Sequence, residues 1–201
     1  MTYTWRDIPG WFDFQDIYAQ AVREAPAVGA QLVEVGVLFG KSAAFMAEKI
    51  YASGKAICFS AVDSFAWTGL GVERETERAA GDLESRELLE KLNAMLPSLG
   101  ARATAALLAT GAWPKVHLAP VEGVVFAACY PACSFDFVFV DAAHTYEDTS
   151  ALLRAFLPKV KSGGVLAGHD HVDATPGVAK AVADVLGKVE QRRSSFWWRK
   201  P

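Results

Sequence analysis

"FDFVFVDAAHTYED", residues 135–148, changes character halfway along. Phe135–Val140 is apolar apart from Asp136, and then Asp141, His144, Glu147 and Asp148 follow in quick succession. A short apolar run bounded by polar residues suits a strand buried on both faces. Thr145 and Asp148 have the spacing of a helix N-cap and its capping-box partner, and Glu147 favours a helix first turn. A strand running straight into a helix predicts a parallel sheet with helices packed on it. Asp141 and His144 are left over, because capping explains neither.

The same alternation extends in both directions. Towards the N-terminus, "AQLVEVG" (30–36) reads as a buried strand, "GKSAAFMAEKIYASG" (40–54) as a helix stopped at Gly54, and "KAICFSAVDSF" (55–65) as a second strand ending at Asp63. "KVHLAP" (115–120) is a brief third strand, and a short helix around Val124–Tyr130 leads into the opening stretch. Beyond it come the helix "TYEDTSALLRAFLPKV", the strand "SGGVLAGHD", the helix "GVAKAVADVLGKV" and a closing "SSFWWRKP", expected as an edge strand whose Trp197 and Trp198 cover the sheet edge or a subunit contact. Residues 1–29 form an aromatic lead-in in which Asp13 is placed to cap a helix with Phe14, Ile17, Tyr18, Ala21 and Val22 on one face. Residues 67–115 hold a variable insertion, with a charge-rich excursion from Trp67 to Gly81 followed by helical spacing in "DLESRELLEKLNAMLP"; the Ala-rich stretch 101–111 is ambiguous. Strands alternating with helices give a doubly wound α/β domain, mostly parallel, with helices on both faces. No repeat or linker divides residues 1–201.

Composition sets the limits. The chain is 201 residues long with 52% hydrophobic content, enough for one domain with a substantial core. A net charge of −3 gives no general attraction to nucleic acid or anionic membrane, and the two arginines at 192 and 193 form only a solvated turn. The expected partner is a small molecule, with a homodimer compatible. Cys58, Cys129 and Cys133 form no disulfide framework or zinc motif. With no signal-like start and no apolar run of spanning length, the expected setting is soluble and cytoplasmic.

In such a sheet ligands bind at the carboxyl ends of the strands, so the strand exits carry the chemistry. At the first, Gly36 and Gly40 flank a turn into a helix, whose free N–H groups and dipole favour an anionic group such as a carboxylate. Glu34 beside it would repel a pyrophosphate but suit a cation. Asp63, ending the second strand, is placed to accept from a pair of ribose hydroxyls. At the later exits Asp141, His144, His169, Asp170 and His171 can converge, since neighbouring strands lie about 5 Å apart. Carboxylates with an imidazole suit a divalent ion, and a further histidine a general base. His117 reads as structural and His171 as solvated.

Taken in order, "VEVGVLFGKSAAFMAE", "VDSF", "FDFVFVDAAHTYEDTSALLRAFLPKVKSGGVLAGHDH" and "GVAKAVADV" resemble the class I S-adenosylmethionine-dependent methyltransferases. More narrowly, they resemble the branch that includes the macrocin-type sugar O-methyltransferases and the cephalosporin hydroxylase-like proteins. The resemblance implies a Rossmann-like seven-stranded sheet. It implies that Glu34, Gly36, Gly40 and Ser42 hold the methionine portion of S-adenosylmethionine, that Asp63 holds its ribose, and that Asp141 adjoins the cofactor. In relatives with a metal, acids matching Asp141 and Asp170 coordinate magnesium, and a histidine matching His144 is the base. This sequence departs from them at His169, where those relatives carry a second acid; the candidate metal ligands are Asp141, His169 and Asp170. The implied reaction is O-methylation of a small-molecule hydroxyl by His144 and Asp141. Two rivals stand beside it. One is a catalytically idle cofactor-binding protein. The other is a nicotinamide-dependent oxidoreductase, suggested by the YxxxK spacing of Tyr51 and Lys55.

Overall fold

The structure is a computed structural model and describes residues 3–66, 94, 98–142 and 144–201. The excursion 67–81 lies outside the described residues, as does the expected helix at 82–97 apart from Ala94. Five strands, β1 (Val28–Val35), β2 (Ala56–Val62), β3 (His117–Ala119), β4 (Phe135–Val140) and β5 (Val160–Gly168), run parallel. Two more, β6 (Glu190–Arg192) and β7 (Ser195–Arg199), form an antiparallel hairpin, and the sheet order is β3-β2-β1-β4-β5-β7-β6. The helices are α1 (Gln15–Glu24), α2 (Lys41–Ser53), α3 (Leu99–Ala109), α4 (Gly123–Ala128), α5 (Tyr146–Phe156) and α6 (Pro176–Leu186).

Side chains alternate across each strand and build one core on each face of the sheet. Leu32, Phe59, Phe137, Phe139 and Ala167 pack with α1, α2 and α3, while Val33, Val35, Val138, Val140 and Leu166 pack with α4, α5 and α6. Burial of both faces is why these strands read as apolar runs rather than as alternating ones. The ambiguous Ala-rich stretch is helix α3, with Ala103, Ala106 and Leu107 buried. The helix after β4 begins as its sequence indicates, with Thr145 Oγ1 accepting from the Asp148 amide at 3.1 Å.

Three local expectations fail. "SFWWR" is not the edge strand: β7 lies between β5 and β6, because the turn at Arg193 and Ser194 folds β6 back against it. Trp197 is therefore buried, with its ring 6.0 Å from that of Phe137. Arg192 lies in β6 with its guanidinium over Trp197 and donating to Gln20, which leaves only Arg193 in the turn. Asp13 does not cap α1; Phe14 occupies the N-cap position with no side-chain cap bond, since the Asp13 carboxylate is engaged elsewhere.

No described helix is long and apolar enough to cross a membrane.

Candidate functional site

From β1 the chain passes to β2 on one side and, later, to β4 on the other, so the strand order reverses between β1 and β4. That is where a crevice opens at the carboxyl ends of a doubly wound sheet. The register pairs Val35 with both Val62 and Val140, and Val140 with Gly168. The next residues, Gly36, Asp63, Asp141 and His169, therefore come out along one edge. They border a cleft of about 910 Å³ whose opposite wall is the N-terminal segment Pro9–Phe14.

Gly36 has φ +98°, and a Cβ there would stand 2.1 Å from the carbonyl oxygen of Asp141. Only glycine lets the β1 and β4 exits approach this closely. Gly40, at φ +88°, caps α2 without a side-chain bond and turns the first amides of α2 towards the cleft end of the sheet. The loop is braced from the neighbouring strand: Asp63 Oδ2 accepts from the amides of Val37 (2.8 Å) and Leu38 (3.0 Å), and Oδ1 from that of Phe65 (2.7 Å). Asp63 stands where a ribose ligand was expected, and its first task is to hold this turn.

Glu34 is placed differently from the sequence reading. It follows Leu32 on the α1/α2 face, is 1% exposed and does not line the cleft. Ser42 Oγ donates to its Oε1. The hydroxyl of Tyr18 sits beside the same carboxylate, and neither it nor Glu34 Oε2 has a well-formed hydrogen bond. Burial pushes the Glu34 carboxyl up to about 8, with the charges of Asp141 and Asp63 adding to the rise and Ser42 and Tyr18 opposing it.

Farther along the same edge, Asp141, His144 and Asp170 each present one ligand-type atom, all within 4.8 Å of one another. His144 Nε2 lies 2.9 Å from Asp170 Oδ2. Asp170 is held at φ +56°, with Thr175 Oγ1 donating to its carbonyl. Burial would raise the Asp170 carboxyl, but hydrogen bonding and charge from His144 and His169 hold it well below the usual range.

His169 is not part of that triangle. Its Nε2 lies 2.8 Å from Asp13 Oδ1 and 2.9 Å from Ser194 Oγ, while Nδ1 faces Asp141 Oδ1 and Asp170 Oδ2 at 3.6 Å each. Burial would lower its pKa, yet the two carboxylates raise it to about 11. The geometry thus groups His144, rather than His169, with the two acids. Asp13 and Ser194 were missed by sequence reasoning, since they approach His169 from opposite ends of the chain. His171 pairs with Gln191 away from the cleft. Lys55 of the YxxxK spacing donates to the carbonyls of Val22, Arg23 and Ala25, closing the end of α1, and lines no part of the cleft.

Residues 33–171 match a family described as methyltransferase domain. The chain belongs to this methyltransferase family. It is thus an S-adenosylmethionine-dependent methyltransferase of Rossmann-like fold. Among solved structures it is similar to the O-methyltransferase NovP, at 18% identity and a TM-score of 0.65, over 92% of this chain and 78% of that one. It is similar to a putative O-methyltransferase from Klebsiella pneumoniae, at 15% identity and a TM-score of 0.61, over 96% and 84%. It is also similar to CalS11, a TDP-rhamnose 3'-O-methyltransferase of calicheamicin biosynthesis, at 16% identity and a TM-score of 0.54, over 92% and 76%. No curated protein sequence matches the chain.

Proposed function

We propose that this methyltransferase acts on a hydroxyl oxygen of a small molecule, with a sugar hydroxyl as the first acceptor class to test. The observation that carries the reading is that a glycine turn at the β1 exit and the Asp141, His144 and Asp170 group border the same cleft. An O-methyltransferase needs a cofactor loop and a proton acceptor within one reactant's length of each other. The solved structures named above, whose own acceptors include a deoxysugar nucleotide, support the choice of acceptor.

The cofactor supplies an electrophilic methyl group on a sulfonium. Its loop fits: Gly36 leaves no side chain between the β1 and β4 exits, and α2 presents uncapped amides to an anionic carboxylate. Asp63 holds that turn in shape with three accepted amide bonds and keeps one acceptor site, on Oδ1, for a ribose hydroxyl. At the neighbouring β5 exit, Asp170 accepts from His144 Nε2 and fixes the tautomer whose basic lone pair is on Nδ1. His144 takes the hydroxyl proton from an acceptor aligned with the methyl group, and the carboxylates of Asp170 and Asp141 stabilise the imidazolium that results.

The same three side chains fit a divalent cation, since two carboxylate oxygens and one imidazole nitrogen suit manganese or zinc better than magnesium, which prefers oxygen ligands. Such an ion would lower the pKa of the acceptor hydroxyl, with His144 then a ligand rather than the base. The proposed partner is a small-molecule acceptor, not nucleic acid or membrane, and the proposed setting is the cytoplasm.

The test is methyl transfer from labelled cofactor to a panel of sugars, phenols and catechols, with and without chelator. Full activity in His144→Ala would remove His144 as base. Cofactor binding without turnover on any acceptor would favour the idle-binder reading.

A further inference from the structure

We propose that His169 is a positioning residue: it clamps the segment Gly10–Phe14 in place as a wall of the cleft and sets that wall against the reacting groups. The wall comes from the start of the chain, whereas the groups it faces are on β4 and β5. Pro9, Gly10, Trp11, Phe12, Asp13 and Phe14 all border the cleft, and Trp11 is 46% exposed there, a large apolar surface offered to whatever enters. Segments of this kind stay in place only where something holds them.

Two attachments hold this one. Near its start, Lys41 Nζ donates to the carbonyl of Gly10 at 2.9 Å. At its far end the attachment is His169. Nε2–H is shared between Asp13 Oδ1 (2.8 Å) and Ser194 Oγ (2.9 Å), and the Ser194 hydroxyl donates to Asp13 Oδ2 at 2.8 Å, closing a three-membered ring of hydrogen bonds. Arg193, in the same β6–β7 turn, donates to the Asp13 carbonyl at 3.3 Å. The Phe14 ring packs 5.0 Å from the imidazole and 4.5 Å from Phe139 of β4. The other edge of the same imidazole faces Asp141 and Asp170 at 3.6 Å. One ring therefore touches the N-terminal wall, the C-terminal hairpin and the two acids of the site. An acid at position 169 could not do this, since it would meet the Asp13 carboxylate with like charge. The clamp rests on hydrogen bonds within the chain and stands independently of the acceptor proposed above.

Hydrogen–deuterium exchange on the unliganded protein tests it without any substrate. Asp13→Ala removes the clamp on its exposed side and leaves Asp141, His144 and Asp170 untouched. Exchange in residues 9–16 is expected to speed up about tenfold while β4 stays protected. Asp13→Asn, whose amide can accept from His169 and donate to Ser194, is expected to recover most of the protection, and Ser194→Ala to fall between. Once an acceptor is in hand, Asp13→Ala should raise its KM at least fivefold with kcat within twofold. Unchanged exchange in Asp13→Ala would overturn the proposal. So would equal loss of protection in the Ala and Asn variants spread over the whole chain, since that is general destabilisation. Failure to find methyl transfer would leave the exchange result standing.

Discussion

Glu34→Gln isolates the most unusual ionisable group in the core. The Glu34 carboxyl is fully buried and raised from 4.5 to about 8. An acid whose pKa is higher in the folded state holds a proton that the unfolded chain has already released. Its contribution to stability is therefore complete below pH 4.5 and is lost as pH rises through the folded value near 8. Each unit of difference corresponds to about 1.4 kcal/mol, so between pH 5 and pH 8 this one group should remove roughly 4 kcal/mol. Glutamine keeps the acceptor for Ser42 Oγ, places an N–H donor towards Tyr18 and does not ionise. Urea unfolding of both proteins at half-unit steps from pH 5 to 8 gives the test, because every other titrating group cancels in the difference. The variant should match the wild type near pH 5 and exceed it by several kcal/mol at pH 8, on the order of the linkage value. Parallel stability profiles across that range would refute the reasoning, since they would mean that Glu34 is ionised in the folded core.

Other expectations follow from single contacts. Gly36→Ala puts a methyl group 2.1 Å from a backbone oxygen at a positive φ; it should lower the melting temperature and abolish cofactor binding by calorimetry, and unimpaired binding would mean the exits can spread. His144→Ala should cut kcat by about 10²–10⁴-fold, the usual contribution of a general base, while the cofactor Kd stays within about twofold, as expected of a group not used in binding. Lys55→Met removes donors from three carbonyls at the end of α1 and should cost about 1–3 kcal/mol by chemical unfolding with no change in cofactor affinity.

What the sequence made legible follows from how local each signal is. The apolar runs of β1, β2, β4 and β5, the Thr145 cap and the Gly54 stop are read within a few residues, and they alone fix a parallel sheet and its strand exits. β6 carries Glu190, Gln191 and Arg192, with no apolar period, so only the hairpin in three dimensions shows that β7 is interior. Glu34 carries a charge at a strand exit, yet the alternation along β1 puts it on the same face as the buried Leu32. The Asp13, His169 and Ser194 ring joins positions 156 and 181 residues apart, and no spacing rule reaches that far.

His169 also bears on how strongly the acid pair would hold a cation. With its pKa raised to about 11 it is a cation at neutral pH, 3.6 Å from each of Asp141 and Asp170. An incoming divalent ion meets that charge as a competitor for the same carboxylates. At an effective dielectric near 20, like unit charges about 4 Å apart oppose each other by roughly 4 kcal/mol. If solvent and rearrangement leave only about a quarter of that, removal of the imidazolium still tightens binding about fivefold. His169→Gln keeps a polar side chain of similar reach and removes the charge. Manganese binding followed by water-proton relaxation should therefore be tighter in His169→Gln than in wild type, with Asp170→Asn abolishing it in both backgrounds. Weaker binding in His169→Gln would instead make His169 a ligand, and would return the site to the Asp141, His169 and Asp170 set.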